Sequence, residues 1–396
     1  MVAAGTVATF LVAGAASLFM AWAIGAGSSG STPFAPAVGA NAISVMRAGF
    51  FVGILGLAGA VLQGANVTEA VGRELILNVT ISPTAAVVAL LTAAILVAIG
   101  VFAGYPIATA FTVTGAVVGV GLALGGDPAW SKYGEIAALW AATPFVGGGI
   151  AYGTARMLRN ERVPERLAVP ALAGVVGAIL ANTEFVLLGP AGEAASLTAV
   201  ATTRVGDAIP ALGTYAVVTL LAALAVAVVL WFDIRADAEA GQRHFLLALG
   251  ALVAFSAGGS QVGLALGPLL PLLDPYNLPL PAVLLGGGFG LLVGSWTGAP
   301  RMIKALSQDY SALGPRRSIA ALIPSFAIAQ TAVFFGIPVS FNEIIVSAII
   351  GSGFAAGGGD VSGKKMGYTV LAWILSLALA FGLGYGVFTA VDALLG

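Results

Sequence analysis

Four stretches of this chain set small hydroxyl, amide and glycine residues into otherwise apolar sequence. They are Gly27-Ser28-Ser29-Gly30-Ser31-Thr32, Gly259-Ser260-Gln261, Thr109 three residues beyond Pro106, and Ser340 with Asn342 just beyond Pro338. Such side chains donate hydrogen bonds without carrying charge, and a helix that starts beside them adds unsatisfied backbone amides. Neither glycine-rich stretch carries Lys or Arg, so a ligand there would be held by dipoles, as an oxyanion is held at a helix N-terminus. The expected anion-binding residues are therefore Gly27, Ser28, Ser29, Ser31, Thr32, Thr109, Gly259, Ser260, Gln261, Ser340 and Asn342. Glu343 is the one carboxylate that the pattern places among them. An ionisable group inside a membrane domain is by default a functional candidate, and Glu343 is expected to take a proton from one side and release it at the other. The structural alternative is a carboxyl bonded to a neighbouring helix end, or one that accepts a proton from the anion itself.

The elements that must position these residues belong to a membrane. With 59% hydrophobic and only 8% charged residues and a mean hydropathy of +1.03, the chain is far from a soluble domain, which carries roughly a quarter charged residues. At about 20 residues per crossing, 396 residues allow about ten to twelve spans or re-entrant segments in a lipid bilayer. An all-helical, multi-pass protein of the plasma membrane is expected. No basic run points to nucleic acid. The absence of cysteine excludes disulfides and thiolate sites, and a single histidine, His244, excludes a multi-histidine metal site. No cofactor is expected beyond a coupling ion, proton or sodium.

Residues 2–23 form a first, retained span, and the helix is predicted to break at once after it. Gly25, Gly27 and Gly30 lower the cost of irregular backbone, while Pro33 and Pro36 withhold amides and clash with a continuing helix. Lipid cannot satisfy freed backbone groups, so a break at that depth must be buried in protein or line a polar cavity. Further spans are predicted over 43–62, 81–103, 135–157, 168–188 and 212–232, with an amphipathic interfacial segment over 63–77. Arg156, Arg159, Arg162 and Arg166 mark a cytoplasmic loop, as do Arg235 with Arg243, and Arg301, Lys304, Arg316 and Arg317.

The second half repeats the first. Residues 254–269 interrupt an apolar stretch as residues 22–42 do, and Gly336-Ile337-Pro338 parallels Gly104-Tyr105-Pro106. From Gly25 to Pro106 is 81 residues, and from Gly258 to Pro338 is 80. The boundaries predicted are a first repeat over 1–160, a variable middle over 161–240 and a second repeat over 241–396. Paired breaks at corresponding points are the mark of a carrier built from two inverted repeats with a site near the midplane.

These residues resemble the inorganic phosphate transporter (PiT) family, whose halves each carry a G-A-N-D-V-A-N-A stretch and later a P-V-S-T-T-H stretch. Matching pieces include Ile24-Gly25-Ala26, the run Gly59 to Thr68, Phe255-Ser256, Gly267-Pro268-Leu269 and Pro338-Val339-Ser340. The resemblance covers both halves and implies a secondary carrier of tetrahedral oxyanions, driven by sodium or protons, and a homodimer. The family's Asn-Asp pair falls on Gly27-Ser28 in one half and Ser260-Gln261 in the other. Its later Thr-Thr-His falls on Thr109-Ala110-Phe111 and on Phe341-Asn342-Glu343.

Losing both motif aspartates bears on the anion. Phosphate near neutral pH keeps a proton and needs an acceptor or leaves that donor unpaired at about 1–3 kcal/mol, whereas sulfate needs donors only. On this ground sulfate, coupled to protons, is the expected substrate, in line with the family's acid-poor sulfate permease branch. Phosphate coupled to sodium or protons is the alternative, and a passive anion channel is the alternative class. Gly27-Ser28-Ser29-Gly30 also fits the G-x-S-G pattern of intramembrane serine proteases, but the only histidine lies in a charged loop, which speaks against an enzyme. Asp127 and Asp360 are expected to be structural turn residues.

Overall fold

The protein is described by a computed structural model over residues 4–190, 193–206, 210–273, 278–359 and 361–395; Asp360 lies outside the described residues. It is helical throughout except for a two-strand ribbon, β1 (Ile76–Leu77) against β2 (Asp127–Pro128). Asn78 donates to Asp127 Oδ2 at 2.7 Å beside that ribbon, so Asp127 serves structure there. Among the described residues ten helices are long and apolar enough to cross a membrane, and two shorter apolar helices accompany them.

The first half runs α1 (Ala4–Gly27), α2 (Ala35–Gly39), α3 (Val45–Gln63), α4 (Ala65–Arg73), α5 (Pro83–Ala103), α6 (Thr109–Ala123) and α7 (Trp130–Leu158). The middle holds α8 (Glu165–Asn182), α9 (Leu197–Val205) and α10 (Ala211–Ala236). The second half follows as α11 (Ala238–Leu266), a 3-10 turn (Gly267–Leu269), α12 (Leu270–Leu273), α13 (Leu280–Thr297), α14 (Ala299–Gln308), α15 (Pro315–Phe334), α16 (Phe341–Phe354) and α17 (Gly363–Leu395). Long helices α1, α3, α5 and α7 thus answer α11, α13, α15 and α17, short α6 answers α16, and polar-faced α4 answers α14. Helix α10 exposes Leu220, Leu221, Leu224 and Phe232, as a helix facing lipid does.

Local chemistry explains both hairpins. Each long helix ends on a glycine in the left-handed region, Gly104 at φ +72° and Gly336 at φ +59°. The following amide then reaches back to the last turn: Tyr105 N to Gly100 O at 3.0 Å and Ile337 N to Ala332 O at 2.9 Å. This is a glycine-capped helix end, and Pro106 and Pro338 just beyond it prevent resumption. After a short extended stretch a new helix starts at Thr109 or Phe341.

Of the two predicted breaks, the first is present and the second is displaced. Helix α1 stops at Gly27, and a turn over Ser28–Phe34 leads to α2. Helix α11, by contrast, runs unbroken through Gly258, Gly259, Ser260 and Gln261 and ends at Leu266, one residue before the 3-10 turn that contains Pro268. Glycine costs about 1 kcal/mol in a helix interior but does not forbid one; only proline removes the amide and clashes. The glycines there serve packing. A Cβ on Gly258 would strike the Gly56 carbonyl, and one on Gly259 would lie 2.7 Å from the Gln63 Cβ, so α3 lies directly against α11.

The halves hold each other reciprocally. Helix α6 packs along α17, and α16 along α7. Trp140 on α7 donates to Pro338 O at 2.8 Å, and Trp373 on α17 donates to Pro106 O at 2.8 Å. Backbone meets backbone at matching points: Gly119 against the Phe381 carbonyl and Gly351 against the Gly148 carbonyl. The corresponding helices α5 and α15 begin at opposite ends of the molecule. The ribbon strand before α5 pairs with the strand before α7, while the far end of α7 shares a pocket with the start of α15.

Gly351→Val is expected to lower stability by about 1–3 kcal/mol, because the α7 backbone cannot retreat. Gly382→Val, with open space around it, should stay within about 0.5 kcal/mol. Unfolding midpoints of the two variants in detergent check this.

Candidate functional site

Helices α6 and α16 both start inside the protein without a capping side chain, on Ala108 and on Ser340. Their first-turn amides have no intrahelical acceptor, and each start carries the positive end of a helix dipole. Gln261 lies between them. Its Nε2 donates to Val339 O, just before α16, at 2.5 Å, and its Oε1 accepts from Thr109, the first residue of α6, at 2.8 Å. Ser28 donates to the same oxygen at 3.0 Å and lies 3.4 Å from the Thr109 hydroxyl. One glutamine therefore joins the end of α1, the body of α11 and the starts of α6 and α16.

Asn342 makes a second link. Its Nδ2 donates to Gly27 O at 2.9 Å and to Ile107 O at 2.7 Å, which pins the α16 start to the last residue of α1 and to the approach to α6. Gly27 thus enters through its carbonyl, as an acceptor, and not as the expected donor. Ser31 and Thr32 are likewise spent within their turn: both hydroxyls donate to Ser28 O, at 3.2 and 3.0 Å. They shape the break. Gly259 is turned to the α3 packing surface, as described above, and its place in α11 leaves no break to supply free amides.

The remaining candidates carry unmet polar atoms. Ser29 Oγ, Ser260 Oγ, Ser340 Oγ, Asn342 Oδ1 and Glu343 Oε2 are buried with no hydrogen-bond partner. Each such atom costs free energy, about 1–3 kcal/mol, and Ser29, Ser260, Ser340 and Asn342 are neighbours in sequence of groups in the Ser28–Thr109–Gln261 cluster, although Thr114, Thr214 and Ser311 carry unmet hydroxyls as well. Of the first five atoms, three are hydroxyls and two are acceptors. Glu343 is 3% exposed and borders an apolar cavity of about 770 Å³ whose walls include Phe111, Trp140 and Trp373. His244 is remote in role: it pairs with Asp233 at 2.8 Å, so Ser28 has no histidine base.

Composition and spacing pointed to the four stretches but not to the Val339 and Ile107 carbonyls, which are backbone groups without a residue signature. Nor did they indicate the buried pair Gln63–Gln330, whose amides exchange hydrogen bonds at 3.2 Å while Gln330 also donates to Ser256 at 2.6 Å.

The sequence model described as the phosphate transporter family matches residues 24–384. The chain belongs to the phosphate transporter family. A chain of Thermococcus kodakarensis that carries a phosphate-permease name is 24% identical, over 91% of this chain and 92% of that one. The inorganic phosphate transporter 2-1 of Arabidopsis chloroplasts is 24% identical, over 91% and 68%. A solved structure titled the sodium-dependent phosphate transporter superposes with a TM-score of 0.81 at 21% identity, covering 98% of this chain and all of its own. That likeness gives this family member its fold, a helical, multi-pass membrane protein, and the family itself is one of transporters, not of enzymes.

Gln261→Ala leaves Val339 O and two hydroxyls without their partner, and is expected to weaken inorganic phosphate binding about tenfold or more. Ser31→Ala, whose hydroxyl serves only its own turn, should change it by less than about threefold, or under about 0.7 kcal/mol. Calorimetric titration of the purified variants checks both.

Proposed function

We propose that this protein is a secondary-active carrier of inorganic phosphate, built as two inverted repeats, and that a proton on Glu343 couples to the anion's passage. The observation that carries this is the convergence of two uncapped helix starts on Gln261, Ser28 and Thr109, with unmet hydroxyls on Ser29, Ser260 and Ser340 alongside. Converging helix N-termini favour an anion without needing a fixed cation.

The family and its named relatives favour phosphate, the alternative from sequence, over sulfate. The geometry offers a physical reason. The argument for sulfate assumed a cage of donors only, yet Asn342, tied to Gly27 and Ile107 through its Nδ2, keeps an unmet acceptor in its Oδ1. A proton still held by phosphate can be accepted there, which removes the penalty that the missing aspartates implied.

Transport follows from how the site is divided. Ser28 and Thr109 come from the first half, and Gln261, Ser340 and Asn342 from the second. Movement of one half's hairpin against the other half therefore takes the cage apart on one side while leaving the anion held on the other. The opposite starting ends of α5 and α15 support the inverted arrangement. Glu343, buried against the apolar cavity, is neutral when protonated and hard to leave charged there. It moves with α16, so its proton travels with the same element that closes the site.

Uptake of labelled phosphate into proteoliposomes tests the reading, with sulfate as competitor and with proton or sodium gradients imposed separately. Proton-driven phosphate accumulation that excess sulfate barely reduces is expected. Glu343→Gln should abolish the dependence on the proton gradient while leaving phosphate binding within a few fold. Sulfate accumulation in preference to phosphate would overturn the substrate, and a purely sodium-driven uptake in both proteins would overturn the role of Glu343.

A further inference from the structure

The apolar cavity of about 770 Å³ that Glu343 borders is walled mainly by α7, α16 and α17. Its walls carry six aromatic rings, those of Phe111, Trp140, Phe145, Tyr152, Phe354 and Trp373. The indoles of Trp140 and Trp373 are held in place by their bonds to Pro338 O and Pro106 O, each at 2.8 Å, so neither N–H is left for an occupant. The cavity opens toward lipid. Phe145, Phe354 and Ile374 line it and are themselves 79%, 49% and 58% exposed, and α7 and α17 are among the helices long and apolar enough to span a membrane. A molecule dissolved in the bilayer therefore has a lateral way in. The volume suits a small organic molecule, for which pockets of about 300–1,000 Å³ are usual.

Glu343 decides the chemistry of that molecule. It is the only charged residue among those that line the cavity, and no Lys, Arg or His shares the wall with it. The residue is 3% exposed, and its Oε2 has no hydrogen-bond partner. A carboxylate taken out of water is tolerated only when it is paired, and aromatic rings attract cations through the negative charge of their faces. An acid without a counter-ion, set in the wall of an aromatic cavity, is an arrangement that recognises an organic cation. A plain acyl chain would fill the apolar space and still leave Oε2 unmet. A bare metal ion would find one carboxylate and too few other oxygens to complete its shell.

We propose that this cavity is a binding site for a lipophilic amine, which enters from the bilayer as the free base. The amine nitrogen takes the proton of the Glu343 carboxyl, the ammonium so formed pairs with the carboxylate, and the apolar part of the molecule lies against the rings of α7, α16 and α17. No net charge enters the cavity in that transfer. Under the transport reading above, a Glu343 held in this pair cannot carry its coupling proton, so occupancy blocks the carrier. The binding itself does not depend on that reading.

The test is photolabelling of the purified full chain in a neutral detergent with two diazirine-bearing alkyl probes of equal length, one ending in a primary amine and the other in a hydroxyl. Peptide mass spectrometry locates the label. The amine is expected to label residues 137–152, 343–354 and 366–374 several-fold more than the alcohol does, with lipid-facing α10 labelled equally by both. Glu343→Gln, which keeps the side chain's shape, should bring amine labelling of those segments down to the level of the alcohol. Gly149→Leu, at a lining position with open space around it, should lower labelling of those segments by both probes. Equal labelling by the two probes, an amine preference that survives Glu343→Gln, or undiminished labelling in Gly149→Leu would overturn the proposal. Uptake plays no part in the readout, so a failure of the coupling role assigned to Glu343 leaves it unchanged.

Discussion

Two helix starts facing each other within a membrane protein impose a constraint that governs the rest of this structure. Backbone groups left free at that depth cannot turn to lipid and must find partners inside the chain or in a ligand. Here the partners come from long amide side chains. Gln261 reaches both helix starts at once, and Asn342 ties the last turn of α1 to the approach to α6. Neither is charged, so the cage holds its shape without a fixed ion and keeps its dipoles available for one.

The same constraint explains why the halves are interlocked. The extended stretches that precede α6 and α16 are short of partners, and each is served by an indole from the opposite half, Trp373 for Pro106 O and Trp140 for Pro338 O. These bonds are reciprocal, as are the close glycine contacts of α6 with α17 and of α16 with α7. A site divided between two bodies that hold one another at matching points has two related ways to open. The proposed alternating carrier draws on this division of the site, which depends on where the unsatisfied backbone lies more than on any one side chain.

Counting acidic residues at motif positions favoured sulfate, whereas the family favours phosphate, and that count treated the cage as the sum of its motif residues. The Gly27, Ile107 and Val339 carbonyls orient the amides, and Asn342 Oδ1 and Glu343 Oε2 remain unpaired. Carbonyl oxygens and the free half of an amide have no signature in composition, yet they decide whether a proton-bearing anion can be accommodated. A serine is equally ambiguous until its partner is known. Ser29 keeps a free hydroxyl, while Ser31, two residues on, gives its hydroxyl to Ser28 O.

What was legible from residue order alone is whatever depends on local chemistry. Apolar length foretold the spans, the glycine- and proline-rich stretch after residue 23 the break behind α1, and Gly104-Tyr105-Pro106 and Gly336-Ile337-Pro338 the two hairpins. Proline and glycine act through their own backbone, so their effect can be read without knowing the neighbours. The unbroken course of α11 could not be read that way. Gly258 and Gly259 are compatible with a break or with close packing, and the approach of α3 decided for packing. Likewise Gln261, Thr109 and Ser28 are separated by long stretches of chain, and only the packing of four helices brings them within a hydrogen bond of one another. Residue types limit which contacts can form, whereas the choice among them is made by distant segments competing for the same buried space.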